Sequence, residues 1–307
     1  METCGNKVGV SAFAYVCGEL VRKPESIENH LAICESHGLS MSLEDMGCGT
    51  FRQMIGEPIG YIKSCIRQTL GAAKLAPNEI DYLVVSTSDD KLPLIGTEFG
   101  AELLKSLELI QCVPVIISLQ QCASSLAALH YATELFANPG VSNVVVVTFD
   151  FSLCDANRIQ PFALFSDAVA SCLVSRGPSA ELYLRSYAVK TDFSGLCRRD
   201  DFRSRKRVAV GALDQALSIC GATAKEIEKN FSTNFYRPIA LFNSSITGIH
   251  PSRLYIETLP GYAHCGNCDW IINLIHCRQH QGLVPNKLYL AQAYAPGFSA
   301  CVLLSTD

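Results

Sequence analysis

The chain has 307 residues, of which 49% are hydrophobic and 18% charged, with a net charge of −4. That is enough apolar material for a large core, and too little positive charge for a protein that neutralises nucleic-acid phosphates. No apolar run approaches the roughly 20 residues of a membrane span, and METCGNKVGV lacks a basic segment followed by a long apolar one, so a cytoplasmic location without membrane contact is expected.

In chain order, the β-branched run I-D-Y-L-V-V-S-T-S predicts a strand over 80–88, followed by a helix across 97–109 and the strand V-P-V-I-I-S-L over 113–119. After Gln120-Gln121 the pattern switches to a small-residue helix over 123–136, which places Cys122 at a helix N-terminus. Unpaired N–H groups and the helix dipole there favour an anion, and with it a nucleophilic thiolate. The ordinary alternative is a buried structural cysteine. N-V-V-V-V-T-F (143–149) predicts a strand covered on both faces, and A-L-F-S-D-A-V-A-S-C-L-V-S (163–175) another, running toward 181–189.

The second half restarts with helices over 205–220 and 224–233, the latter opened by Thr223 and Glu226 as a capping box. P-I-A-L-F-N-S (238–244) reads as a strand with Asn243 at its end. A helix near 250–258, another from Asp269 to about 280, and the apolar segments 287–294 and 298–305 complete the chain. Placing Cys122 over Cys268 aligns two helices, each followed by an apolar strand (143–149, 287–294) and a small-residue strand (163–175, 298–305), so the chain reads as two copies of one plan, 1–176 and 177–307. Equivalent helix starts would then meet at the interface of the halves, bringing Cys122 toward His264 in H-C-G-N-C-D (264–269).

S-L-Q-Q-C-A-S-S-L-A-A-L, F-S-D-A-V-A-S-C-L-V and P-G-F-S-A-C-V-L-L, in that order and spacing, resemble the cysteine loop, the F-G-D-G-A-G-A strand and the closing glycine loop of the ketoacyl-acyl-carrier-protein synthase III branch of the thiolase superfamily. The resemblance runs from about residue 8 onward. It implies an α/β thiolase fold of two pseudo-symmetric βαβαβ-type halves layered α/β/α/β/α, and an acyl-Cys122 intermediate. It also implies backbone oxyanion donors at Cys122 and Gly297, an acyl-CoA or acyl carrier protein as thioester partner, and a homodimer or a heterodimer with a homologue. No cofactor and no metal are implied. The family pairs its cysteine with a histidine and an asparagine; here Asn243 falls at the histidine's place and His264 at the asparagine's, as if exchanged. That exchange favours acyl transfer over decarboxylating condensation, with a condensing enzyme or a silent partner subunit as the competing readings.

Asn243 could instead be a turn residue and His264 structural. Asp269 would cap the helix it opens and could also orient His264, while Asp167 reads as a turn aspartate. Cys265, Cys268, His276 and His280 form C-x2-C-x7-H-x3-H, a spacing too short for a zinc module, and no thioredoxin-like strand precedes the C-x2-C pair. The charged run 198–207 is either a solvated loop or, through Arg203, Arg205, Lys206 and Arg207, a docking patch for an acidic carrier protein. Since the family's tryptophan and arginine that hold adenine are missing near residues 30–50, a carrier-protein thioester is favoured as donor over free coenzyme A.

Overall fold

The computed structural model describes residues 7–88, 97–152, 154–177, 180–196 and 202–306. The strands are β1 (Val8–Cys17), β2 (Leu20–Arg22), β3 (Phe51–Gln53), β4 (Tyr82–Ser86), β5 (Val113–Ile117), β6 (Asn143–Asp150), β7 (Ala168–Arg176), β8 (Leu182–Thr191), β9 (Ile227–Ser232), β10 (Leu254–Tyr255), β11 (Leu288–Ala295) and β12 (Phe298–Ser305). The helices are α1 (His30–Ser36), α2 (Pro58–Ala73), α3 (Thr97–Ser106), α4 (Ser124–Glu134), α5 (Phe193–Leu196), α6 (Phe202–Cys220), α7 (Arg237–Ile246), α8 (Leu259–Tyr262) and α9 (Asp269–His280).

Ten strands form one sheet in the order β10-β9-β11-β12-β8-β1-β7-β6-β4-β5. Outward from its centre, β1-β7-β6-β4-β5 on one side pair antiparallel, antiparallel, parallel, parallel. The other side, β8-β12-β11-β9-β10, has the same succession. The strand ladders of the two sides join where Gly9 meets Tyr183 and Val10 meets Leu182.

Side-chain alternation along the strands makes the layers. In β6, Val144 and Val146 face a core that also holds Leu126 and Leu129 of α4 and Ile271 and Leu274 of α9. Val145 and Val147 point the other way, onto Ile62 and Ile66 of α2. Tyr289 and Ala291 of β11 share the α4 and α9 core, whereas Leu290 packs on Ala212, Leu213 and Ala216 of α6. Burying each such Val or Leu stabilises by roughly 1.5–3 kcal/mol. The result is helix, sheet, helix, sheet, helix, with α4 and α9 enclosed in the middle; Ala127, Ala128 and Ala132 keep α4 thin enough to lie there.

Several expected elements differ. The segment 224–233 is a 3-10 turn followed by β9; the Thr223 and Glu226 capping box forms but caps that single turn. The segment 238–244 is helical, within α7, with Pro238 in its first turn, where a missing N–H costs nothing. Near 250–258 there is a 3-10 turn and the short β10 in place of a helix. The strand expected from 163 starts at Ala168, and the residues before it form the loop against which His264 is paired. β1 and α2 had no counterpart among the predicted elements. Part of the charged run, 198–201, lies outside the described residues. Among the described residues no helix is long and apolar enough to cross a membrane.

Candidate active site

β5 ends at Ile117, and the chain reaches α4 through two non-glycine residues in the left-handed region, Leu119 (φ 70°) and Gln121 (φ 49°). Each such residue stores on the order of 1 kcal/mol, which persists only where the surroundings fix it. The bend delivers Cys122, half-buried, into the 3-10 turn that leads into α4. The α9 entrance repeats this construction, with the turn Gly266–Cys268 ahead of Asp269.

His264 enters from that second loop. Its backbone is zipped to residues 164–166: its N–H donates to the Leu164 carbonyl at 2.8 Å, and its carbonyl accepts from the Ser166 N–H at 2.8 Å. Ala263 before it has φ 52° and ψ −141°, a conformation that suits glycine. The buried imidazole sets Nε2 3.5 Å from the Cys122 sulfur and Nδ1 2.5 Å from Asp269 Oδ2. With Asp269 accepting at Nδ1, the tautomer is fixed and Nε2 is the atom that exchanges a proton with sulfur. Burial alone would depress the His264 pKa, but the Asp269 charge, the hydrogen bond to it and the Cys122 sulfur outweigh burial and push it up to about 10.

Asp269 does not cap α9; the cap position is Cys268, and Asp269 is the first helical residue. Its carboxylate accepts from His264, from the Cys265 N–H at 2.7 Å and from the Asn234 N–H at 2.7 Å. Three donors hold the carboxylate in one pose, so Asp269 orients His264.

The sequence reading missed the residues that bind the two loops together. Asn267 accepts from the Ser125 N–H at 2.8 Å through its side-chain oxygen, and its amide donates to the Gln121 carbonyl and to Asp150 Oδ2, both at 3.1 Å. It thereby ties the Cys122 bend to the His264 loop. Asp150, buried beneath, also accepts from Ser88 N–H and hydroxyl, at 2.7 Å each; burial raises its pKa against these bonds. Gly266 (φ 59°) is required there, because a Cβ would collide with Asp150 Oδ2. The run H-C-G-N-C-D contained His264, Gly266, Asn267 and Asp269 together, but nothing in it said which would face the cysteine.

Asn243 is not in the position the exchange assigned to it. Because 237–246 is a helix, the loop that follows the strand is 233–236, and its carboxamide is Asn234. That side chain is buried and fully engaged, donating to Thr258 Oγ1 and the Ala263 carbonyl, both at 3.0 Å, and accepting from Asn273 at 3.0 Å. Asn243, on α7, has no hydrogen bond to Cys122 or His264 among the described residues and lines the cavity into which Cys122 opens.

This cavity, of about 530 Å3, is walled by Phe162, Phe165 and Phe235, by Ile239, Asn243 and Ile246 on one face of α7, and by the β11-β12 turn, including Gly297. Gly297 has φ 75° and is wedged against Asp192 and Leu196, leaving no room for a Cβ. Arg205 also lines the cavity; Arg203 and Lys206 are exposed beside it, and Arg207 forms an ion pair with Asp192. Asp167 forms a two-pronged buried ion pair with Arg158 at 2.9 Å, a structural clamp. Cys265, Cys268, His276 and His280 do not converge: Cys268 meets the Thr148 and Ala168 carbonyls, and His276 meets the Tyr255 hydroxyl. Among the described residues no histidine, cysteine or carboxylate group is arranged to hold a metal ion.

No protein-family model matches the chain, and no curated protein matches it in sequence. Solved structures match along its whole length. The acyltransferase ChlB3 has a TM-score of 0.82 at 17% identity, covering 98% of both chains. The 3-oxoacyl-[acyl-carrier-protein] synthase III of Aquifex aeolicus VF5 has a TM-score of 0.75 at 16% identity, covering 97% of this chain and 99% of its own. A glutamate-to-glutamine variant of OleA from Xanthomonas campestris has a TM-score of 0.82 at 11% identity, covering 99% and 100%. At these identities the likeness is one of fold.

Proposed function

We propose that this chain, whose fold is the thiolase fold, is an acyltransferase that carries its acyl group on Cys122. The observation behind this reading is the line of Cys122 Sγ, His264 Nε2, His264 Nδ1 and Asp269 Oδ2 at 3.5 and 2.5 Å. A sulfur beside an imidazole that a buried carboxylate keeps protonated is an activated nucleophile. The Cys122 sulfur attacks the thioester carbonyl; the donor's carbon–sulfur bond breaks, and the departing thiolate takes the proton from His264. Backbone N–H groups of Cys122 and Gly297 are the oxyanion donors in this scheme. Acylation removes the hydrogen bond to the Cys122 sulfur, one of the influences holding the His264 pKa up, so the imidazole becomes a better base. It then accepts the proton of an acceptor hydroxyl or amine, which takes the acyl group while Cys122 leaves as thiolate.

Decarboxylating condensation asks for two side-chain donors on one carbonyl oxygen. His264 is committed to Cys122 and Asp269, Asn234 is spent within the fold, and Asn243 stands on α7. Offered malonyl and acyl carrier-protein thioesters together, the protein is expected to acylate Cys122 without releasing carbon dioxide. Rapid, Cys122-dependent carbon dioxide and a β-ketoacyl product would overturn the transfer reading. Arg203, Arg205 and Lys206 suit an anionic donor, either the phosphates of coenzyme A or an acidic carrier protein in a specialised fatty acid or polyketide-type pathway. The solved structure of a 3-oxoacyl-[acyl-carrier-protein] synthase III with this fold favours the carrier protein.

We also propose a homodimer. β5 is the last strand of the sheet, and Val113 and Ile116 on it are exposed. An unpaired apolar edge favours strand pairing, and a second copy can supply an identical strand across a two-fold axis. Ile116→Lys is expected to shift the protein from dimer to monomer in sedimentation; a monomeric wild type would dismiss this arrangement.

A further inference from the structure

The cavity wall holds a polar side chain that the protein itself leaves unanswered. Asn243 is 7% exposed and lines the cavity between Ile239 and Ile246 on the same face of α7. Its backbone carbonyl accepts from Thr247, but its side-chain amide makes no hydrogen bond among the described residues. Tyr294 also borders the cavity, but its hydroxyl has no accessible surface there and is turned toward Thr247 and Gln292. Buried polar groups without a protein partner are costly, and in a cavity they point to a ligand that supplies one.

Phe235, which also lines the cavity, packs 6.1 Å from the His264 ring. The mouth is marked by exposed residues, Leu119 at 77% and Arg205. A thioester entering from the mouth and presenting its carbonyl to Cys122 places its acyl group, and not its carrier thiol, against the buried wall. The remaining surface there, Phe162, Phe165, Ile239 and Ile246, is apolar.

We infer that the acyl group carried by Cys122 is an apolar chain or ring bearing a hydrogen-bonding oxygen, which Asn243 receives on the α7 wall. This rests on the reading of Cys122 as the acyl carrier. Asn243 is then a specificity-determining residue, and its place on a helix face with two isoleucines explains why it is polar at all. An unoxygenated chain leaves the amide unpaired and is rejected on that account.

The test is the rate of Cys122 acylation, followed by intact-protein mass, with N-acetylcysteamine thioesters of octanoate and of its set of hydroxylated isomers. Wild type is expected to prefer at least one hydroxylated isomer over octanoate by roughly tenfold. Asn243→Leu and Asn243→Ala are each expected to bring that ratio toward one; the second only removes atoms from the cavity wall. No preference in wild type, or a preference that survives both substitutions, overturns the inference. So does an effect of the substitutions seen only with the longer pantetheine thioesters, since Asn243 would then read the carrier arm. If wild-type Cys122 is labelled by none of the thioesters, the acyl-carrier reading itself fails, an outcome distinct from labelling without preference.

Discussion

Incubated with an acyl thioester, the wild-type protein is expected to gain one acyl mass on Cys122, and Cys122→Ala none. The expectation follows from three features that meet only at this thiol: the head of α4, an imidazole at 3.5 Å, and an opening to a cavity large enough for an acyl chain. Cys154 is exposed and therefore the natural competitor, but it lies in the loop after β6, and the cavity is not lined by it. Mapping by peptide mass after a short incubation separates the two. Equal labelling of Cys122→Ala, or an adduct on Cys154 in the wild type, would remove the nucleophile assignment and with it the proposed chemistry.

Asp269→Asn is expected to slow acylation by roughly 10²- to 10⁴-fold, a range set by losing a positioned proton carrier at one end and by fixing the wrong imidazole tautomer at the other. The amide cannot accept equally from Cys265, Asn234 and His264, and its NH2 group could face Nδ1 and force the proton to Nε2. Loss of structure alone would also slow the reaction, so the decisive readout is the pH profile. In wild type the imidazole pKa is raised from 6.5 to about 10, with Asp269 as the main influence raising it. A raised basic group stabilises the folded state fully below pH 6.5, and that contribution is lost as pH rises toward 10. Thermal stability of the wild type should therefore carry a component that declines across this window, and in Asp269→Asn the imidazole titration should move down toward its ordinary value. An unshifted titration would leave Asp269 a purely architectural residue. His264→Ala should lose roughly 10²-fold in acylation and abolish the titration altogether.

The parts of this molecule that the amino-acid order announced are those where local pattern and tertiary burial agree. β6 carries the run Val144 to Val147 between two helical layers, and these four are apolar for a reason visible in the strand itself. The switch from V-P-V-I-I to A-S-S-L-A-A-L marked the Cys122 bend, and the doubled pattern placed His264 opposite it. The second half misled where pattern and burial disagree. β9 lies between β10 and β11 yet reads I-E-K-N-F-S, because Asn230 is buried against Gln292 through a 2.9 Å hydrogen bond. α7 reads P-I-A-L-F-N-S because Leu241 and Phe242 are partly exposed on a helix whose other face lines the cavity. Exchanging those two elements carried the carboxamide assignment from Asn234 to Asn243. The ties made by Asn267 and Asp150 were illegible for a different reason: they join residues 62 to 146 positions apart, and no spacing records such a contact.

The abundance of cysteine has a consequence for how selectively this surface can be addressed. Among the described residues thirteen thiols are free, eight of them buried. Burial pushes Cys48, Cys65, Cys112 and Cys301 up to about 12, which leaves on the order of one molecule in 10⁵ ionised at each at neutral pH. Electrophiles and oxidants that require a thiolate therefore meet an interior that is chemically silent despite its composition. A chain that looks promiscuously reactive by residue count presents few addressable sulfurs, so a mild covalent probe shaped to the cavity could report on one atom of the folded protein.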